Sequence, residues 1–361
     1  MSCFNNRIKK STMVLLSGLL LCLTASMVEA RTLSYSTSSP PADTGVNRAL
    51  QWWADEIEKR TNGELKINVH YMNSLVKLKD AVDGISAGVA DAGYVVPAYS
   101  QAKLPLHYIS TTGIGPGDQY AAMIAWQRMY EKFPQLKEEM DRSNLVHIGH
   151  FSIGPGVLLS KGHPYMTPAD FNGDKVRLAS RWVKAALLEK WNVTPVNLTF
   201  PDIYTALERG TIDGAQSYLN NVLSYRHNEV IDHVVLPNIG QQMNIIVMNK
   251  RVYDSLSDEQ RSVIADLQDE YLERLAKGDI DDNLSARNDL KNDPKYPVEV
   301  HDVTGEQRQV WEKAVSGAEN ENVERTSKRN PAVKALYDTY LKEIRKVDLD
   351  IQENGYPWDK D

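Results

Sequence analysis

The chain has 361 residues, 42% of them hydrophobic and 25% charged, which is globular composition with enough length for two domains that each bury a core. Its 16 Pro and 21 Gly exclude a collagen-like or low-complexity protein. Forty-one basic against 48 acidic residues give a net charge of −7, and without a dense basic run there is no electrostatic footprint for nucleic acid.

The first thirty residues read as an address. Arg7, Lys9 and Lys10 precede an apolar stretch from Met13 to Leu23, and Val28-Glu29-Ala30 supplies an A-x-A-like site. That order predicts a secretory signal peptide over 1–30, a mature chain from Arg31 and a periplasmic location. The apolar stretch falls short of the roughly 20 residues that cross a bilayer, so no membrane insertion is expected. Leu21 before Cys22 argues against a lipoprotein site. Cleavage leaves 38 basic and 47 acidic residues, a net charge of −9, and removes Cys3 and Cys22, the only two cysteines. Disulfides, thiolate catalysis and cysteine-based zinc sites are thereby excluded from the mature chain.

In chain order, 32–35 reads as a short strand closed by Ser39-Pro40-Pro41. Val46, Leu50, Trp53 and Ile57 share one helical face over 47–60, stopped by Thr61-Asn62-Gly63. Leu65, Ile67, Val69 and Tyr71 alternate with polar residues as a strand. A helix over 77–87 ends at Gly88, and 91–96 returns as a strand, which completes an α/β unit. A helix over 119–133 and a strand over 145–151 follow, then the Ile153-Gly154-Pro155-Gly156 break. A second α/β unit contains a strand at 175–178, helices at 182–191 and 202–209, and a strand entered through Asp213-Gly214. Beyond Leu256 the texture changes to long polar helices over 258–277, 306–321 and 331–347.

The chain carries neither H-E-x-x-H nor G-x-x-x-x-G-K-[ST]. His147 and His150 sit three apart in a strand, an offset that predicts opposite faces and no shared metal. Asp281-Asp282 reads as solvated helix surface. Asn192-Val193-Thr194 and Asn197-Leu198-Thr199 match the glycosylation acceptor pattern, which matters only in a eukaryotic host. Neither a cofactor nor a metal is implied.

The informative segment is Thr167-Pro168-Ala169-Asp170-Phe171-Asn172-Gly173-Asp174-Lys175-Val176-Arg177, with Tyr204-Thr205-Ala206-Leu207-Glu208-Arg209-Gly210-Thr211-Ile212-Asp213-Gly214 downstream. The pair resembles the "tpeDlkGlKiR" and "YtALqtGvvDG" motifs of TRAP-transporter solute receptors of the dicarboxylate-receptor (DctP) type. Glu58-Lys59-Arg60-Thr61-Asn62-Gly63 and Ser86-Ala87-Gly88-Val89-Ala90-Asp91 resemble two earlier family pieces, and the match is collinear over about 33–267. The resemblance implies a two-lobed α/β periplasmic binding protein with a ligand cleft between lobes. It implies a first lobe over 31–150, joined by part of the C-terminal region, and a second over 151–250. A helical region over 251–361 would brace both. It also implies an organic-acid ligand, no enzymatic activity, and partnership with a small and a large integral membrane subunit that carry out the uptake.

In that family the arginine ending "GlKiR" grips the ligand carboxylate, and it maps onto Arg177. Independently of the family, a guanidinium stays charged and offers a planar fork matching a carboxylate. The family's second arginine is absent where this chain reads Gly154-Pro155-Gly156-Val157, and its Gln-Glu-Asn-Pro is replaced after Asp213-Gly214 by Ala215-Gln216-Ser217-Tyr218. Aromatics at Tyr94, Tyr99, Trp182 and Tyr218 join Arg181, Gln216, Asn220, Asn221 and Asn244 as candidate lining residues. A missing second cation beside several rings points to a monocarboxylate with an apolar or aromatic body. Competing readings are an exported hydrolase or lyase acting on carboxylated substrates, and a receptor for signalling or chemotaxis.

Overall fold

The computed structural model describes residues 30–111, 113 and 115–360; the expected signal peptide lies outside them, apart from Ala30. The first lobe opens with β1 (Arg31–Ser36), α1 (Gly45–Arg60), β2 (Leu65–His70), α2 (Ala81–Ala87) and β3 (Ala92–Val95). Thr44 caps α1 by accepting from the Asn47 N–H, and Thr61 ends it. Gly88, in the left-handed region at φ 83°, closes α2 as its sequence position suggested. Next come α3 (Gln119–Lys132), α4 (Gln135–Arg142) and β4 (Leu145–Ser152).

The second lobe runs through β5 (Val157–Ser160), β6 (Lys175–Arg177), α5 (Ser180–Leu188), β7 (Thr194–Val196) and α6 (Ile203–Glu208). It continues with β8 (Gly214–Ser217), α7 (Leu219–Ser224) and β9 (His233–Leu236). The chain then returns as β10 (Met243–Asn249), α8 (Lys250–Asp254), α9 (Asp258–Asp266) and α10 (Gln268–Asn292). It ends with β11 (Glu299–Asp302), α11 (Gly305–Ser327) and α12 (Ala332–Asn354).

Two mixed sheets result, one in the order β2-β1-β3-β10-β4 and one in the order β11-β9-β5-β8-β6-β7. The sequence division at 250 therefore differs from the pairing: β10 inserts antiparallel between β3 and β4, so 243–249 belongs to the first sheet. All seven β10 residues are buried, as a central strand covered on both faces requires. Likewise β11, expected within the helical region, is an edge strand of the second sheet, parallel to β9.

Two strands link the lobes side by side. Ile153 N–H donates to the Gln242 carbonyl at 3.0 Å and Gln242 N–H to the Gly154 carbonyl at 3.2 Å, so the β4–β5 and β9–β10 crossings form a paired hinge. Gly154 sits there at φ 80°. The long helices span the lobes. Helix α10 packs on α1, α3 and β4 in the first and on α7 and β11 in the second, while α11 rests on α5 and α12 on α3. The crossing of α10 with α1 is backbone to backbone: a Cβ on Gly45 would come 2.0 Å from the Gly278 carbonyl carbon.

Other expectations need correction. His147 and His150 do not face apart: β4 pairs Gly149 with Ile246 but His147 with Val247, so Ile148 is bulged out of the ladder. The extra residue restores both rings to one face, with His147 Nε2 3.2 Å from His150 Nδ1. Asp282, read as solvated, accepts from the Gly45 N–H at 2.6 Å and pairs with Arg48 at 2.8 Å, which fastens α10 to the start of α1.

Candidate functional site

A cavity of about 150 Å³ opens between the two sheets. Strand polarity explains its place: β6, β7 and β8 are mutually parallel, and their carboxyl ends point into the crevice. Arg177 is the last residue of β6 and only 4% exposed. Its Nε donates to the Leu198 carbonyl at 3.2 Å, Nη1 to the Gln216 carbonyl at 3.0 Å and Nη2 to the Tyr99 hydroxyl at 3.2 Å. The Gln216 Oε1 lies 3.4 Å from Nη1, and the Phe200 ring sits 5.8 Å below the guanidinium carbon. Every one of these partners is neutral. Among the described residues no carboxylate pairs with Arg177, and no other Lys or Arg lines the cavity. A buried guanidinium without a counter-ion is costly, and a ligand anion is what would offset that cost.

The walls are aromatic. Tyr94, Tyr99, Phe151, Phe200, Tyr218 and Tyr225 contribute rings, and Leu78, Val96 and Leu198 add apolar surface. Tyr94 meets Phe151 edge to face at 5.4 Å, and Phe200 meets Tyr225 likewise at 5.0 Å. Three of the phenols, Tyr94, Tyr218 and Tyr225, are held protonated by burial. Burial pushes Tyr218 up to about 12, opposed by the Gln216 side chain and Arg177, and burial also raises Tyr94 and Tyr225. Tyr218 donates to Gln242 Oε1 at 3.2 Å and Tyr225 to the Ser38 carbonyl at 3.1 Å.

Of the residues singled out from sequence, Arg177, Tyr94, Tyr99, Tyr218, Asn220, Asn221 and Asn244 line this cavity. Gln216, Trp182 and Arg181 do not. They line an adjoining space of about 30 Å³ that shares Tyr218 and Gln242 with the main one. Trp182 is packed edge to face on Trp311 of α11 at 5.4 Å, inside the second lobe's core. Arg181 is already neutralised: its Nε lies 3.0 Å from Glu319 Oε2 on α11, and its Nη2 donates to the Thr111 carbonyl. A partner more than a hundred residues downstream leaves no local signal in the chain.

Several lining residues escaped sequence reasoning, among them Phe151, Phe200, Tyr225 and Gln242. Asp279 of α10 is the least expected. It is fully buried at the cavity wall and accepts from the side-chain amides of Gln119, Asn220 and Asn283. Burial pushes its carboxyl up to about 7, against those three amides. Asn220 Oδ1 lies buried with no hydrogen-bond partner among the described residues. His227, packed against Phe200 at 5.8 Å, is pushed down to about 3 by burial and by the Arg177 charge.

Residues 35–325 match the family model described as bacterial extracellular solute-binding protein, family 7 (DctP). The chain belongs to that family. Its members are solute receptors of TRAP transporters, so this DctP-family protein is a binding protein and not an enzyme. It is 24% identical over 289 residues to the C4-dicarboxylate-binding periplasmic protein DctP of Rhodobacter capsulatus, covering 78% of this chain and 84% of that one. It also resembles a marine metagenome TRAP solute-binding protein specific for aromatic acid ligands, solved with metahydroxyphenylacetate. That likeness has a TM-score of 0.76 and 23% identity, over 87% and 98% of the two chains. A TRAP solute-binding protein of Rhodoferax ferrireducens T118 with copurified benzoate gives a TM-score of 0.76 at 21% identity, over 88% and 98%. These likenesses establish the two-lobed TRAP-receptor fold with long C-terminal helices. Among the described residues no helix is long and apolar enough to cross a membrane.

Proposed function

We propose that this DctP-family receptor captures an aromatic monocarboxylate in the periplasm and hands it to the membrane subunits of a TRAP transporter. One observation carries the reading: Arg177 is buried at the wall of a ring-lined cavity, with no counter-ion among the described residues. The ligand carboxylate takes the guanidinium fork in a charge-assisted pair, strengthened by exclusion of water. The aromatic body stacks among Tyr94, Phe151, Phe200 and Tyr225. A cavity of about 150 Å³ has the size that accepts a benzene ring. Asn220 Oδ1 leaves an acceptor for a hydroxyl on that ring. A dicarboxylate would bury its second charge beside Asp279 with no second cation among the described lining residues to meet it.

Lobe closure about the paired hinge at 153–154 and 242 dries the pair, and the closed form is what the permease recognises. The 1–30 segment directs export and is removed. Calorimetry with benzoate, 3-hydroxybenzoate and succinate tests the reading. The aromatic acids bind, and Arg177→Ala weakens them by about 2–5 kcal/mol. Binding of succinate alone, or unchanged affinity in Arg177→Ala, overturns it.

A further inference from the structure

Far from the cavity, the edge of the second sheet holds a cluster that solute capture does not use. His233 opens β9, and Glu299 and His301 lie two apart on the parallel edge strand β11. The register sets His233 opposite Glu299, so the pleat brings all three side chains to one face. The intervening Val234 and Val300 turn to the other face and pack in the core. Both strands run parallel to β6 and β8, and His233 and Glu299 stand at their amino ends, the end of the sheet away from Arg177.

Three lone-pair atoms converge there. His233 Nδ1 lies 3.2 Å from His301 Nε2, and Glu299 Oε2 lies 3.5 Å from the first and 3.6 Å from the second. The carboxylate oxygen is thus beyond ordinary hydrogen-bond length from both rings and nearly equidistant from them. Zinc bonds of about 2.0–2.2 Å in tetrahedral geometry place neighbouring ligand atoms about 3.3–3.5 Å apart. The observed triangle is one face of such a tetrahedron. The neighbouring Asp302 is held by Arg287 and is not a competing ligand. The Glu299 side chain is 72% exposed, which leaves an entry path and a fourth position for water.

We propose that His233, Glu299 and His301 form a site for one divalent transition-metal ion of the zinc class, separate from the solute cavity. Two imidazoles and one carboxylate suit a borderline ion, whereas calcium and magnesium call for oxygen donors. The ion clips β11 to β9. Strand β11 is a four-residue edge strand joining α10 to α11, so the clip fastens the bracing helices to the second lobe.

The test uses tag-free mature protein stripped of metal with a chelator, titrated with zinc chloride and, separately, calcium chloride by calorimetry. Wild type takes up one zinc per chain, ignores calcium, and melts several degrees higher with zinc present. Cobalt chloride gives the visible bands of a tetrahedral site. Glu299→Gln, a substitution at an exposed side chain, weakens zinc at least about tenfold, and His301→Asn abolishes the single-site isotherm. His163→Asn, outside the cluster, leaves zinc binding unchanged. Absence of saturable zinc binding by wild type, or one-to-one binding that persists undiminished in Glu299→Gln, overturns the assignment.

Discussion

Arg177 and Arg181 lie one helical turn apart in sequence, are both largely removed from water, and meet opposite treatment. Around Arg181 the fold supplies its own anion: Glu319, brought in by α11, closes an ion pair between the second lobe and the bracing helices. Around Arg177 the described residues supply only neutral oxygens, from Leu198, Gln216 and Tyr99. One guanidinium is committed to an ion pair, and the other has no counter-ion among the described residues. Arginine content near a cleft therefore says little until each charge has been followed to its partner.

The largest effect should come from breaking the committed pair. Glu319→Gln leaves Arg181 buried beside a neutral amide, and urea denaturation should show a loss of about 3–5 kcal/mol. Arg177→Met in ligand-free protein should change stability by no more than about 1–2 kcal/mol, the scale of the hydrogen bonds it breaks. Equal losses at both positions would erase the distinction between them.

Acid sharpens it further. Burial holds His150 at about 4, and burial with Arg177 holds His227 at about 3, whereas an unfolded histidine titrates near 6.5. As pH falls below about 6.5 the unfolded chain binds these protons first, so their contribution to stability, complete above that pH, is lost toward pH 4 and 3. Asp279 opposes this. Its folded value of about 7 lies above that of an unfolded aspartate, so its contribution is present at low pH and lost as pH rises through 7. Chemical denaturation from pH 7 to 4 should therefore show a steeper acid loss in Asp279→Asn than in wild type. Arg177→Gln should raise the His227 titration midpoint followed by NMR, because an unneutralised cation is one of its two causes. The smallest effect belongs to Tyr99→Phe, which removes one neutral contact to Arg177 and should cost ligand-free protein about 0.5–1.5 kcal/mol by thermal melts.

Local chemistry in the chain determined a good deal. The spacing of Leu50, Trp53 and Ile57, the alternation from Leu65 to Tyr71 and the stop at Gly88 dictate their elements, because helix periodicity, strand pleat and the left-handed cap act over a few residues. The motif ending at Arg177 marked the family and the cavity's cation. Tertiary structure alone decided the rest. Strand β10 reads as an apolar run, and only its pairing reveals that it returns to the first sheet. The bulge at Ile148 reverses the expected facing of His147 and His150, because one unpaired residue shifts a two-residue period. Asp279 carries no mark of burial in a polar helix, and Arg181 carries none of Glu319. Which charges are neutralised depends on contacts across more than a hundred residues, and those exist only once the helices have folded back over both lobes.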